Sequence, residues 1–281
     1  MRITILLIIS ILLSSCSSQF AYRHLDWIAL WYCDDYLDLS RQQERNLETE
    51  LSQLLGWHKQ SELPKYRLQL LAIADDLSTL PLADALITQH IDSFNQHWQN
   101  MRQRISEQVS PLAVQLNVQQ VNHLFAQLEE RNQDRLEDYL DLSVDERNEK
   151  KLEQIEALLI DWLGSIDAAQ ATLLYSFIHK QYDLTLPRIA YLRAYQAELK
   201  RAMQSPIDIA KLQGLLNNPD PFKSTEYIHQ QNSNRKNTTV FIRQLSAHIQ
   251  PEQFTYLQKK LKDYIQTIDE LLETDKKKAA K

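Results

Sequence analysis

The stretch Phe254-Thr255-Tyr256-Leu257-Gln258-Lys259-Lys260-Leu261-Lys262-Asp263-Tyr264-Ile265-Gln266-Thr267-Ile268-Asp269-Glu270-Leu271 decides the fold class. Its apolar residues Phe254, Leu257, Leu261, Tyr264, Ile268 and Leu271 step by three and four, so they line one face of an α-helix. Lys259, Lys260, Lys262, Asp263 and Glu270 fall on the other faces. The stripe has too few heptads to require a coiled coil, so packing into a bundle is its expected use. The same periodicity recurs along the chain, predicting helices over 21–37, 40–60, 64–78, 82–107, 117–140, 143–163, 167–182, 187–204, 206–216, 221–246 and 251–274. Pro64 either kinks one long helix or separates two.

Composition agrees. Among 281 residues there are 3 glycines, which leaves few positions for the positive φ of hairpins and bulges. Hydrophobic residues make up 43% and charged residues 24%, and the long helix-forming tracts of Leu, Gln, Glu, Lys and Ala point to an all-α, multi-helix antiparallel bundle of about ten helices. Helix starts carry capping boxes, in which a cap side chain and the third helical residue satisfy each other's backbone N–H. Ser40 with Gln43 and Ser143 with Glu146 fit, as do Asn117 with Gln120 and Asp167 with Gln170. Ser205-Pro206 and Asp220-Pro221 are expected to open helices with proline in the first position. Asn217-Asn218-Pro219-Asp220-Pro221 is the strongest breaker, and a subdomain boundary is compatible with 217–221. The polar run 230–237 reads as a loop or a solvated helix face.

The N-terminus gives an address. Met1-Arg2 is a minimal basic start, residues 3–13 are an apolar run broken by Thr4 and Ser10, and Leu13-Ser14-Ser15-Cys16 follows. The run is too short for a membrane span of about 20 residues but suits a signal-peptide core of about 7–15 residues. The last four residues resemble a bacterial lipobox. That resemblance implies a signal peptide over 1–15, acylation of Cys16 (a diacylglyceryl thioether and an N-acyl chain, palmitate the usual one) and a mature domain over 16–281. Ser17 stands where inner-membrane lipoproteins carry Asp, which favours the outer membrane and a periplasm-facing body. The expected cofactor set is empty apart from this covalent lipid.

Charge and cysteine content fit that address. Loss of Arg2 would take the formal net charge from −6 to −7, and an acidic body disfavours nucleic acid as a partner. Lys276-Lys277-Lys278 and Lys281 form a basic tail. With Cys16 acylated, Cys33 has no partner and is expected to be a small buried residue rather than a reactive thiol.

Two resemblances extend the reading. The aliphatic–cap–x–x–Gln pattern of the boxes, with Ile249-Gln250-Pro251-Glu252-Gln253 as a further copy, is similar to the Leu-Thr-x-x-Gln signature of periplasmic helical chaperones of the Spy/CpxP type. A hydrophobic staple before an ordinary cap gives the same pattern. Over more of the chain, Tyr22-Arg23-His24-Leu25-Asp26-Trp27, Asp34-Asp35-Tyr36-Leu37-Asp38-Leu39 with Gln43, Trp57-His58 and Glu62-Leu63-Pro64-Lys65-Tyr66 resemble a family of uncharacterised proteobacterial lipoproteins defined as a domain of unknown function. That resemblance implies an all-helical periplasmic lipoprotein and carries no activity with it.

Chemistry-bearing clusters are few. His58 and Glu62 lie four apart, where a carboxylate can orient an imidazole for acid–base work, but no nucleophile motif or third partner accompanies them, and an ion pair or packing contact competes. His90 and His97 share a face without further metal ligands. Asp26, Asp34, Asp35 and Asp38 read as a solvated acidic face. Trp27 and Trp31, with Tyr22, Tyr32 and Tyr36, make the first helix aromatic. Core packing is the default for that helix; an interaction surface is the sharper reading. No metal and no catalytic residue is assigned. The candidate interaction surface is Trp27, Trp31, Tyr36, Trp57, His58 and Glu62. The expected function is a non-enzymatic outer-membrane lipoprotein that binds proteins or envelope components, with a chaperone-like or stress-related role as the specific form. The alternatives are an envelope hydrolase using His58 with Glu62, and a structural tether in envelope assembly.

Overall fold

The computed structural model describes residues 22 and 24–279, with side chains through 273. The expected signal peptide over 1–15, the lipobox-like segment with Cys16, and Lys281 lie outside the described residues, as do the Lys276–Lys278 side chains. Among the described residues the chain is helical throughout, without a strand. The helices are α1 (Leu25–Leu37), α2 (Arg41–Trp57), α3 (Leu63–Asp76), α4 (Asp84–Val109), α5 (Val118–Leu140), α6 (Val144–Leu163), α7 (Ala168–His179), α8 (Thr185–Ala202), α9 (Ile209–Asn217), α10 (Thr225–Ser246) and α11 (Pro251–Ala279). A π-turn, His58–Glu62, joins α2 to α3, and short 3-10 turns occupy Ser110–Gln115 and Asp220–Phe222. None of the described helices is long and apolar enough to cross a membrane.

The contacts divide the chain into two compact units, residues 1–74 with 258–281 and residues 75–257. In the first, α1 packs on α2, and Tyr36, Leu47, Leu63, Leu261 and Leu271 are buried. The Arg67 guanidinium grips Asp269 through both carboxylate oxygens at 2.6 and 3.2 Å, and Gln258 Nε2 donates to the Ala74 carbonyl. In the second, sequence neighbours α6 and α7 pair, as do α8 and α9, while α5 packs on α8 and α10 crosses both α4 and α7. Phe177 of α7 stacks on Phe241 of α10, ring centroids 4.4 Å apart. The breaker at 217–221 lies within this second unit. Its prolines end α9 and wind a 3-10 turn that sets Phe222 against Tyr195.

All four capping boxes form with both hydrogen bonds in place. The two proline-led starts fall elsewhere. Asp208, not Ser205, caps α9 by accepting from the Lys211 N–H, because the chain through Ser205-Pro206 is not yet helical. Ser224, not Asp220, caps α10. The polar run 230–237 is helical, and its side chains work against the α7–α8 connection: Asn234 both accepts from and donates to the Tyr182 backbone, and Asn237 donates to the Lys180 carbonyl.

The Asp167 box docks on the related segment at 249–253. Gln170 and Gln253 form a reciprocal amide pair, each Nε2 2.8 Å from the other's Oε1. Each Oε1 also accepts the N–H that its own box requires, from Asp167 and Gln250. Each Nε2 also donates to a loop carbonyl, Gln170 to His248 and Gln253 to Ser165. Both side chains are buried with all four hydrogen-bonding positions used. Next to them Gly164 ends α6 at φ +80°, and a Cβ there would stand 3.2 Å from the Tyr256 ring.

Gln170→Leu is expected to cost about 2–4 kcal/mol, because it leaves the buried Gln253 amide short of two hydrogen bonds and takes a partner from the Asp167 N–H and the His248 carbonyl. The Gln170→Leu/Gln253→Leu double variant is expected to cost less than the two single losses together. Urea denaturation of the three variants measures both; strict additivity would show that the pair does not act as a unit.

Candidate functional site

The site grows from a conflict at Pro64. A proline in a continuing α-helix lacks the N–H for the bond to residue i−4, and its ring presses on that carbonyl. The chain resolves this by widening one turn: the Leu63 N–H reaches back five residues to the His58 carbonyl. The helix passes through Pro64 as a π-turn, a device frequent at functional sites. Glu62 and Leu63 emerge buried, Glu62 at 0% exposure.

Around this turn five aromatic and charged groups meet. His58 Nδ1 is 2.9 Å from the Tyr22 hydroxyl, with the two rings 5.7 Å apart. The Tyr66 ring meets the imidazole edge-on at 5.4 Å. Glu62 Oε1 receives the Lys65 ammonium at 2.6 Å, and Lys65 itself is half exposed. Burial lowers the His58 pKa below the usual histidine value, and the Glu62 carboxylate opposes that shift through its charge. Burial raises the Tyr66 phenol, and Glu62 adds to the rise.

The arrangement sandwiches a neutral imidazole between two phenols, with a buried carboxylate neutralised by a lysine. Chemically it is a hydrogen-bonded aromatic cluster around an ion pair. Glu62 reaches His58 by field, while the ring nitrogen that a carboxylate would orient faces the Tyr22 hydroxyl instead.

The six sequence-predicted residues divide. His58 and Glu62 come together at the π-turn, and Trp57 beside them is half-buried. Tyr36 is buried, its hydroxyl 3.4 Å from that of Tyr32. Trp27 and Trp31 are 65% and 59% exposed, which corrects the core-packing expectation for them. The helix turns Ala29, Leu30, Cys33 and Tyr36 inward, so residues 27 and 31 fall on its solvent side.

Sequence reasoning left Tyr22, Lys65 and Tyr66 out of the site. Lys65 and Tyr66 stand three and four residues beyond Glu62, a helical spacing that signals shared faces. Tyr22 is 36 residues from His58, and no local pattern points to it.

The other clusters have structural partners. His90 bonds Asp76 at 2.9 Å, and His97 packs against the Phe94 ring. Asp34 and Asp38 finish α1, Asp38 in the left-handed region at φ 46° and Asp34 accepting from the Leu39 N–H. Among the described residues, no three His, Cys, Asp or Glu side chains gather as a metal-binding group. Cys33 is half-buried, and burial raises its thiol pKa, which disfavours the reactive thiolate. The second unit also holds a cleft of about 390 Å³ lined by Val114, Leu116, Val121, Met203, Ile207 and Lys200 among others.

A histidine whose folded pKa lies below its unfolded value of about 6.5 stabilises the fold above that pH and loses the contribution as pH falls. Denaturant stability is therefore expected to drop between pH 7 and pH 5, and His58→Phe is expected to flatten that drop; an unchanged slope in the variant would remove His58 from the pH response. Lys65→Met is expected to cost about 1–3 kcal/mol, since it leaves the Glu62 carboxylate buried without its cation, the half exposure of Lys65 keeping the loss below that of a fully buried pair.

No curated protein and no solved structure shows significant similarity to the chain. A family profile described as a family of unknown function, DUF6279, matches residues 35–228. The match starts within α1 after Trp27 and Trp31, takes in Trp57, His58, Glu62 and Gln170, and ends before Gln253. Spanning well over half of the sequence, it shows that the chain belongs to this family of unknown function, DUF6279.

Proposed function

We propose that the protein is an envelope lipoprotein, cleaved before Cys16, acylated there and held at the outer membrane with its helical body in the periplasm. The support for the anchor is the order of residues 1–16: basic start, apolar run of signal-peptide length, two serines, then cysteine. Two or more acyl chains hold a protein stably where one does so marginally. The predominantly acidic body is compatible with a protein that hangs from its lipid rather than spreading on anionic headgroups.

The body acts by binding proteins or envelope components, in the manner of a chaperone or stress-related factor, and not by catalysis. The observation that carries this reading is the set of large apolar side chains left in solvent on a helical frame. Trp27, Trp31, Phe94, Trp98 and Tyr175 are each more than half exposed, and Trp, Tyr and Phe are the residues that enrich binding surfaces. The likeness of the capping boxes to the Leu-Thr-x-x-Gln signature supports the chaperone form of the reading.

Palmitate supplied to growing cells is expected to label the wild-type chain and not Cys16→Ala, and inhibition of lipoprotein signal peptidase is expected to cause the precursor to accumulate. An unlabelled wild-type chain would reject the anchor. The purified chain is expected to slow aggregation of unfolded client proteins in a light-scattering assay. If it neither slows aggregation nor retains any envelope protein in a pull-down, the binding reading fails.

A further inference from the structure

The first helix is divided along its length as well as around its circumference. On its solvent side the first two turns carry Leu25, Trp27, Ile28, Trp31 and Tyr32, all exposed. The last turn carries exposed Asp34 and Asp35, followed by exposed Asp38. Over 13 residues, about 20 Å of helix, the exposed side passes from aromatic to acidic, with one half-buried carboxylate, Asp26, in the first turn, where it accepts from the Trp27 N–H. No lysine or arginine lies within it.

The aromatic end is the one nearest to Cys16 in the chain. Leu25 follows Cys16 by nine residues, a reach of at most about 32 Å when fully extended. Lipid on Cys16 would hold this end beside a bilayer at high effective concentration, so a patch of modest intrinsic affinity suffices. Tryptophan and tyrosine settle at the headgroup level, where the ring meets the acyl boundary and the N–H or hydroxyl meets water. The carboxylates of the last turn repel anionic headgroups and belong in water. A helix dipped at its N-terminal half and lifted at its acidic end satisfies both.

We propose that the Leu25, Trp27, Ile28, Trp31 and Tyr32 face of α1 is a second membrane contact, lying in the interface of the bilayer that holds the Cys16 lipid. The contact rests on the anchor reading above. It fixes the N-terminal end of the body against the membrane instead of leaving it on a free tether. With acidic and no basic residues on the helix, the contact weakens as the anionic lipid fraction rises and is not released by high ionic strength, which screens that repulsion.

The test uses the full acylated chain reconstituted in phosphatidylethanolamine-rich vesicles whose acyl chains carry bromine near the headgroup. Bromine quenches tryptophan that touches it. Five tryptophans report: wild type is expected to lose at least about a third of its emission, as two interfacial rings of five would give. Trp27→Phe/Trp31→Phe, which keeps the apolar face and removes the two reporters, is expected to lose almost none. Quenching that persists in the double variant would overturn the assignment to α1. Absence of quenching in a chain whose Cys16 acylation is confirmed by mass spectrometry would overturn the membrane contact and leave the anchor standing. A chain without lipid on Cys16 would overturn the anchor and this contact with it. A concentration-dependent blue shift without quenching would assign the face to a second copy of the chain and reject the bilayer.

Discussion

The second unit depends on the disposal of helix N-terminal N–H groups. Every α-helix begins with donors that have no partner inside it, and a chain built almost wholly of helices repeats the problem at each start. Gln170 and Gln253 answer it for two helices at once. Each closes its own N-terminus and uses its remaining capacity on the other glutamine and on a carbonyl of a neighbouring loop. Buried amides are costly when half-satisfied and rigidifying when fully satisfied. This pair therefore fixes where the α6–α7 and α10–α11 connections meet. Gly164 belongs to the same junction, since its positive φ strains any side chain and a Cβ there would press on the Tyr256 ring at 3.2 Å.

In the first unit the comparable constraint is Pro64. The wide turn that accommodates it extends the helix and carries a carboxylate inside. A buried charge has to be paired, and Lys65 supplies the cation from the next turn. His58 then sits neutral between Tyr22 and Tyr66. The carboxylate four residues from an imidazole, which made His58 and Glu62 look enzymatic, spans this same widened turn.

Local signals in the sequence were reliable where the physics is local. The four capping boxes form as written because cap and third residue lie within one turn of each other, and the Leu257, Leu261, Leu271 stripe is buried because helical periodicity alone sets its face. The sequence was less decisive where a distant partner settled the outcome. The run 230–237, open between a loop and a solvated helix face, is helical, and Asn234 and Asn237 hold backbone fifty-odd residues away. Tyr22 could not be assigned to His58 for the same reason. Trp27 and Trp31 looked like core because aromatics usually bury large areas, whereas the face opposite to them, with Tyr36, is the one α1 turns inward.

That last reversal bears on how the two ends of α1 are used. A helix in water gains nothing from leaving two indoles and an isoleucine exposed while it buries a tyrosine and half-buries a cysteine thiol. Rotating α1 to bury the tryptophans would turn Tyr36 out of the core of the first unit and would face Asp35, which shares their side, toward apolar neighbours. The carboxylates thus help set the rotation of the helix, and that rotation keeps the tryptophans outside. An aromatic face held out in this way suits a second apolar environment, and among the described residues it is the exposed aromatic cluster nearest in sequence to Cys16, the residue proposed to carry lipid.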